Sequence, residues 1–255
     1  MIFIKKVLCH MKLSNIPLWM RAFGIHFPIA MLARRKMIRT SKLITRYGSI
    51  NIRQGTTDIH TFLQVIKDYE MLKIRKSDTC LDLGANIGSF SLYAASKGAK
   101  VIAFEPDSEN YELLASNVIG KNIIPVKKAV WKDDLGVELF SYKTSKSRVS
   151  VYNHFEEAAI REKVPSITLP EVIKTYNPQI IKCDIEGAEL EVFKKIEQTD
   201  LSNIREMVIE YHPFNKDNNI KNFVEKIKSF GFAVDLIKKS KNNLRIPVII
   251  HAARE

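Results

Sequence analysis

Five ionisable side chains stand at the ends of two apolar runs. Ile180-Ile-Lys182-Cys-Asp184-Ile-Glu186-Gly187 carries Lys182, Asp184 and Glu186 at alternate positions, and Val208-Ile-Glu210-Tyr-His212-Pro213 carries Glu210 and His212 in the same way. Side chains alternate across a strand, so each set points to one face. Gly187 permits a sharp turn out of the first run. If the two strands are neighbours, these groups converge. Carboxylates beside an imidazole can take the proton of an acceptor hydroxyl. His212 is the favoured base, because an unperturbed imidazole titrates near neutrality, with Asp184 and Glu186 beside it. Alternatively, Asp184, Glu186 and Glu210 hold a divalent cation that polarises the acceptor oxygen.

A second constellation lies upstream. In Thr79-Cys-Leu-Asp82-Leu-Gly84-Ala-Asn86-Ile-Gly88-Ser-Phe90 an apolar run ends in Asp82, breaks at two glycines and turns amphipathic, which is a strand, a tight loop and a helix start. Such a junction aims main-chain N–H groups at a ligand and lets it lie close to the backbone. The next run, Lys100-Val-Ile-Ala-Phe-Glu105, ends in a carboxylate 23 positions after Asp82. That is about the spacing at which an acid meets a ribose diol, so Glu105 is the expected ribose ligand. The loop reads Asp82-x-Gly84-x-Asn86-x-Gly88 and lacks the Gly-x-Gly-x-x-Gly of dinucleotide sites, which disfavours a nicotinamide-dependent sugar dehydrogenase. It resembles an S-adenosylmethionine loop.

The elements that must position these groups alternate. Strands ending at Leu83, Glu105 and Asp184 are separated by helices over Ile87 to Lys97, Ser108 to Val118 and Pro170 to Tyr176, with a further strand expected over Ile123 to Val130. This is the βαβ pattern of a parallel sheet. Helix Ala188 to Ile196, strand Met207 to Tyr211 and helix Ile220 to Phe230 continue it, and Phe232 to Ile237 with Pro247 to His251 close the chain as a hairpin. Val137 to Asn153 reads as a hairpin or lid over the pocket. Upstream, Phe62, Val65, Ile66, Tyr69 and Leu72 recur at helical spacing, after a short extended piece from Ser49 to Arg53.

At 255 residues and 45% hydrophobic content the chain can bury one substantial α/β core plus an extension. Its three cysteines, Cys9, Cys80 and Cys183, lack paired or metal-type spacing, which points to a reducing compartment, with Cys80 and Cys183 as core thiols. The net charge of +12 is unevenly placed: residues 1 to 60 hold eleven Lys or Arg against one acid, Asp58, and the remainder holds 29 against 27. We therefore divide the chain into a basic extension, 1–48, mostly helical to about Lys42, and a catalytic domain, 49–255. Such an arm suits an anionic membrane surface, a phosphorylated acceptor or RNA. Lys5 and Lys6 follow Met1-Ile-Phe-Ile at once, so no secretory signal is expected, and Ala22 to Ala33, with His26 and Pro28, is too short to span a bilayer. The expectation is a cytoplasmic protein with at most peripheral membrane attachment.

Taken together, Leu81-Asp-Leu-Gly-Ala-Asn-Ile-Gly-Ser-Phe-Ser-Leu, Ala103-Phe-Glu-Pro106, Leu114-Ala-Ser-Asn117, Lys182-Cys-Asp-Ile-Glu-Gly-Ala-Glu189 and Ile209-Glu210 closely resemble the FkbM-type methyltransferase family, and Ile52 to Ile59 is similar to that family's lead-in segment. The resemblance covers roughly residues 50 to 212. It implies a Rossmann-like class I sheet of seven mostly parallel strands, the last antiparallel. It also implies O-methylation of a sugar, glycan, polyketide or other small hydroxylated metabolite by S-adenosyl-L-methionine. Carried over by position, Asp82, Gly84, Asn86 and Gly88 would line the methionine and ribose side, Glu105 would take the ribose hydroxyls, and Lys128 with Ala129 would meet the adenine. Cys183 and Leu169-Pro170-Glu171 depart from the family pattern. The main rival is an RNA methyltransferase that uses the basic arm, although no Asp-Pro-Pro-Tyr type motif ends the fourth strand; a non-catalytic module that keeps the fold is a third reading.

Overall fold

A computed structural model describes residues 16–34, 41–142, 145–151, 159–213, 220–238 and 247–254. Lys5, Lys6, Cys9, His10, Lys12, Arg35, Lys36 and Asn153 lie outside the described residues. The chain opens with helix α1 (Ile16–Phe23), a 3-10 turn (Gly24–His26) and helix α2 (Phe27–Arg34). Helix was expected to continue to about Lys42. Instead Lys42 begins β1 (Lys42–Thr45), which pairs antiparallel with β2 (Gly48–Asn51) so that Leu43 and Ile50 face inward together. Alternation sets this: Leu43 and Thr45 are buried while Lys42 and Ile44 are exposed. The pair straddles residue 48, and the first helices pack on α3 (Asp58–Tyr69), where the Phe23 and Phe62 rings lie 5.3 Å apart. Burying Phe23 contributes roughly 2 to 3 kcal/mol, enough to seat α1 on α3.

β3 (Thr79–Leu83), α4 (Ser89–Ser96), β4 (Lys100–Phe104), α5 (Ser108–Asn117) and β5 (Ile123–Val126) follow as expected up to that point. The single strand expected over Ile123 to Val130 is two. Lys128 turns back to bond the Val126 carbonyl (3.0 Å), and β6 (Ala129–Trp131) leaves the main sheet. Next come β7 (Val137–Tyr142) and β8 (Ser145–Ser150), the expected hairpin, with a third strand, β9 (Ala159–Val164), that the sequence pattern had not marked. β10 (Ser166–Thr168) then pairs in parallel with β6. The chain ends with α6 (Leu169–Tyr176), β11 (Ile180–Cys183), α7 (Glu189–Phe193), β12 (Glu206–Tyr211), α8 (Ile220–Ser229), β13 (Ala233–Lys238) and β14 (Val248–Ala253).

The main sheet has seven strands in the order β13-β14-β12-β11-β3-β4-β5. All are parallel except β14, the last in the chain, which lies one place in from the edge between two strands running the other way. Its central strands are buried on both faces because each supplies both cores. Cys80, Val101, Ile180 and Val208 face α1, α3 and α4, while Leu81, Ile102, Ile181 and Met207 face α6, α7 and α8. Cys80 and Cys183 are free and buried, one in each core. Among the described residues no helix is long and apolar enough to cross a membrane.

Candidate functional site

A cavity of about 360 Å³ opens beyond the carboxyl ends of β3, β4, β11 and β12, where ligands sit in open α/β sheets. Gly84, Asn86, Glu105, Lys128 and Ala129 line it, as do Asp184, Glu186, Glu210 and His212. The conditional expectation about neighbouring strands is met: β11 and β12 pair with Lys182 beside Val208, so all five ionisable groups reach the same wall.

Asp82 and Gly88 do not line the cavity. Asp82 is fully buried behind the loop, where Ser91 Oγ donates to its Oδ2 (2.6 Å) and Lys182 Nζ lies 3.1 Å from its Oδ1. Lys182 also donates to the carbonyls of Leu83 (3.3 Å) and Gly84 (2.7 Å). Burial works against its charge, but Asp82 and Asp184 outweigh that and hold its pKa above the ordinary lysine value. This buried pair therefore pins the loop to β11. Gly88 caps α4, and a Cβ there would lie 2.8 Å from Leu114 Cδ1, so its role is packing.

Glu105 is buried and accepts from the main-chain N–H of Asn86 (2.7 Å) and Asp107 (3.1 Å) and from Asn110 Nδ2 (3.3 Å). Burial pushes its pKa up to about 7 against the pull of those donors. A carboxylate has about four acceptor positions, so roughly one remains for a ligand hydroxyl. Asn110 in turn accepts from Arg53 Nη1 (2.8 Å), and Arg53 is clamped on Asp58 by its Nε (3.2 Å) and Nη2 (2.9 Å). The segment before α3 is thus wired to Glu105.

On the other side of the cavity carboxylates crowd one imidazole. His212 Nδ1 lies 3.0 Å from Glu189 Oε1, and its Nε2 is 3.5 Å from Glu186, 3.9 Å from Asp184 and 4.0 Å from Glu210. Burial disfavours the charged ring, but Glu189, Glu186 and Asp184 outweigh it and raise its pKa to about 10. With no ion beside it, the ring thus favours its protonated form at neutral pH, unlike the unperturbed imidazole expected from the sequence. Tyr69, which burial, Asp184 and Glu210 keep a neutral phenol, donates to Glu210 Oε2 (3.1 Å) and lies 3.4 Å from Asp184 Oδ2. Glu186 is held at φ 50°, in the left-handed region, and its carbonyl accepts from Ser150 Oγ (2.8 Å) at the end of β8.

Sequence reasoning missed Tyr69, Asn110, Glu189 and the stripe Thr57, His60, Thr61 and Gln64 along the cavity side of α3. The stripe was visible as polar positions at helical spacing on an otherwise amphipathic helix. It also missed Ser89, whose buried hydroxyl at the cavity wall has no hydrogen-bond partner among the described residues.

The family model of the methyltransferase FkbM domain matches residues 82–240. Methyltransferase sdnD of Sordaria araneosa is 27% identical over 179 residues, covering 56% of this chain and 69% of that protein. The 31-O-demethyl-FK506 methyltransferase FkbM of Streptomyces tacrolimicus is 24% identical over 199 residues, covering 64% of this chain and 75% of that one. Among solved structures, TrmK of M. capricolum, in complex with S-adenosyl-homocysteine, aligns with a TM-score of 0.42 and 14% identity over 76% of this chain and 67% of that one. That likeness speaks to no acceptor. The cavity itself fits S-adenosylmethionine: an acid with one acceptor position left, an unpartnered buried hydroxyl at Ser89 and a glycine-turned loop stand together in a space of ordinary ligand size. The chain belongs to the FkbM methyltransferase family and is an S-adenosylmethionine-dependent methyltransferase.

Proposed function

We propose that the acceptor is a hydroxyl of a small metabolite or of a sugar or glycan. The observation that carries this reading is the convergence of Asp184, Glu186 and Glu210 at the cavity wall, at the ends of β11 and β12, two and three strands away from Glu105 at the end of β4, or about 10 to 15 Å across the sheet. Carboxylates accept the hydrogen bonds that a polyol offers, and they can receive a proton. The O-methylating relative from Streptomyces tacrolimicus supports the same reading. When bound, S-adenosylmethionine supplies an electrophilic methyl whose bonding pair stays with sulfur, so the protein must align the acceptor oxygen and remove its proton. Glu186 is the acceptor of that proton: it faces the cavity and its backbone is fixed by Ser150, whereas both ring nitrogens of His212 are already engaged by the carboxylates around it.

Glu186→Gln should lower turnover at least about tenfold while leaving affinity for S-adenosylmethionine within a factor of about three. Calorimetry with the methyl donor, followed by a screen of hydroxylated metabolites with labelled methyl, tests both parts. Label found on nitrogen, or on RNA and on no small molecule, would remove the O-methyl reading.

We further propose that the first helices and β1 bring the enzyme to an anionic membrane surface. Met20, Ile25, Ile29 and Ile44 are half or more exposed on contacting elements, with exposed Arg21, Lys42 and Arg46 among them. Apolar side chains flanked by bases suit a headgroup boundary. Sedimentation with phosphatidylglycerol vesicles should pull down the full chain, neutral phosphatidylcholine should not, and Ile25→Asp with Ile29→Asp should release it. Equal retention of the double variant would end this idea.

A further inference from the structure

The cavity wall holds an arrangement that proton transfer alone does not use. Asp184, Glu210 and His212 each present one ligand atom within 4.8 Å of the others. Every one of these residues has its remaining atom tied elsewhere. His212 Nδ1 is held by Glu189, a carboxylate that is itself buried, which turns Nε2 toward Asp184 and Glu210. The phenol of Tyr69 engages the outer oxygens, Oε2 of Glu210 and Oδ2 of Asp184, so Glu210 Oε1 and Asp184 Oδ1 face the imidazole. A histidine whose far nitrogen is fixed by a carboxylate, with ligating carboxylates hydrogen-bonded behind, is the outer-shell pattern of a metal centre. Donors about 2.1 Å from a first-row cation lie roughly 3 to 4 Å apart, which the 3.9 and 4.0 Å separations meet with little movement.

We propose that Asp184, Glu210 and His212 bind one divalent cation of the Mn²⁺ or Zn²⁺ type, with its open positions toward the cavity, the cation taking the place of the proton on His212 Nε2, which is released to solvent. Mixed nitrogen and oxygen ligands suit such ions better than Mg²⁺ or Ca²⁺, which favour oxygen alone. The cation balances the carboxylates gathered on one side of the cavity. It also holds and polarises the acceptor oxygen, so that the proton leaving for Glu186 leaves more easily. This role rests on the hydroxyl reading above, and the site itself does not. It differs from the sequence expectation in its third ligand: His212 replaces Glu186.

The test uses the full chain stripped with chelator and titrated with Mn²⁺ under electron paramagnetic resonance. Saturable binding of one Mn²⁺ per chain is expected, with a nitrogen coupling in the pulsed spectrum from His212. Glu210→Gln should weaken binding by more than tenfold, and Glu189→Gln by about ten- to a hundredfold through His212. Retained binding of S-adenosyl-homocysteine shows that each variant is folded. No saturable binding to folded wild type, or binding without nitrogen coupling, would overturn the site. If hydroxyl methylation runs undiminished in excess chelator, the cation falls and the hydroxyl reading stands; if Mn²⁺ binds as described and no hydroxyl is methylated, the reverse holds.

Discussion

Gly84→Ala should unfold much of the cofactor loop's support, at a cost of about 2 to 5 kcal/mol, whereas Gly120→Ala should cost only about 1 to 2. Both glycines sit at nearly the same left-handed φ, 76° and 72°. A side chain pays the same local conformational penalty at each. They differ in what a Cβ would meet. At Gly120 nothing lies within 4 Å, but at Gly84 the new carbon would stand 1.9 Å from the Asp184 carbonyl oxygen and 2.9 Å from its carbon, both main-chain atoms. Relief requires β3 and β11 to part at their carboxyl ends, where Lys182 bonds the Gly84 carbonyl and the buried acid Asp82. The clash term is the difference between the two variants, read by urea unfolding of both. Equal losses would mean that the loop and β11 separate freely, and that the close approach does not hold the site together. A domain has only about 5 to 15 kcal/mol in all, so the Gly84 variant loses a large share.

Affinity for S-adenosylmethionine should rise with pH through about 7, and Glu105→Gln should both weaken it and flatten that dependence. The sign follows from which form binds. A ribose hydroxyl donates to the ionised carboxylate, so protonation competes with the ligand. One pH unit below the titration midpoint about a tenth of the carboxyl is ionised, so affinity at pH 6 should be roughly tenfold below its plateau above pH 8. Glu105→Gln removes a charged hydrogen bond worth about 1.5 to 3 kcal/mol, or roughly ten- to 150-fold in affinity. It also strands a donor: the amides of Asn86 and Asp107 both point at this side chain, and glutamine has a single acceptor oxygen. Calorimetry at pH 6, 7 and 8 on both proteins checks this. A wild-type affinity that does not move over that range would show that the carboxyl is not the group that meets the ribose.

Much of the site was legible because a strand repeats every two residues. That period marked the two sets, although only Lys182 and Glu210 sit within strands; Asp184 and Glu186 follow the end of β11 and His212 the end of β12, and the adjacency of the two strands brings them together. The loop from Asp82 to Gly88 and the acid at 105 were equally local. What the pattern could not give was the cross-chain tie. Tyr69 reaches Asp184 and Glu210 across 115 and 141 residues of sequence, and nothing near it announces that the helix carrying it lies over those strand ends. The charge of His212 was equally out of reach, since it depends on Glu189, whose carboxylate is held by the Gly187 amide and meets the ring. In the fold, the apolar run from Ile123 to Val130 concealed a break at Lys127 and Lys128, and β9 lacked the alternation that marks an isolated hairpin strand.

β6 and β10 lie side by side with Ala129 bonded to Pro165, so the 33 residues between Trp131 and Pro165 leave and return through one narrow gate. That excursion supplies Leu139 and Val151 to the cavity, and none of its described strands joins the seven-stranded sheet. It has the layout of an interchangeable cassette: grafting the corresponding stretch from a relative should redirect which molecule is modified while the donor's seat, built on β3 and β4, keeps its shape. Because Ser150 on the same ribbon fastens the Glu186 carbonyl and Glu162 the start of α5, a graft that keeps those two ties should change the acceptor and leave the donor's pocket intact.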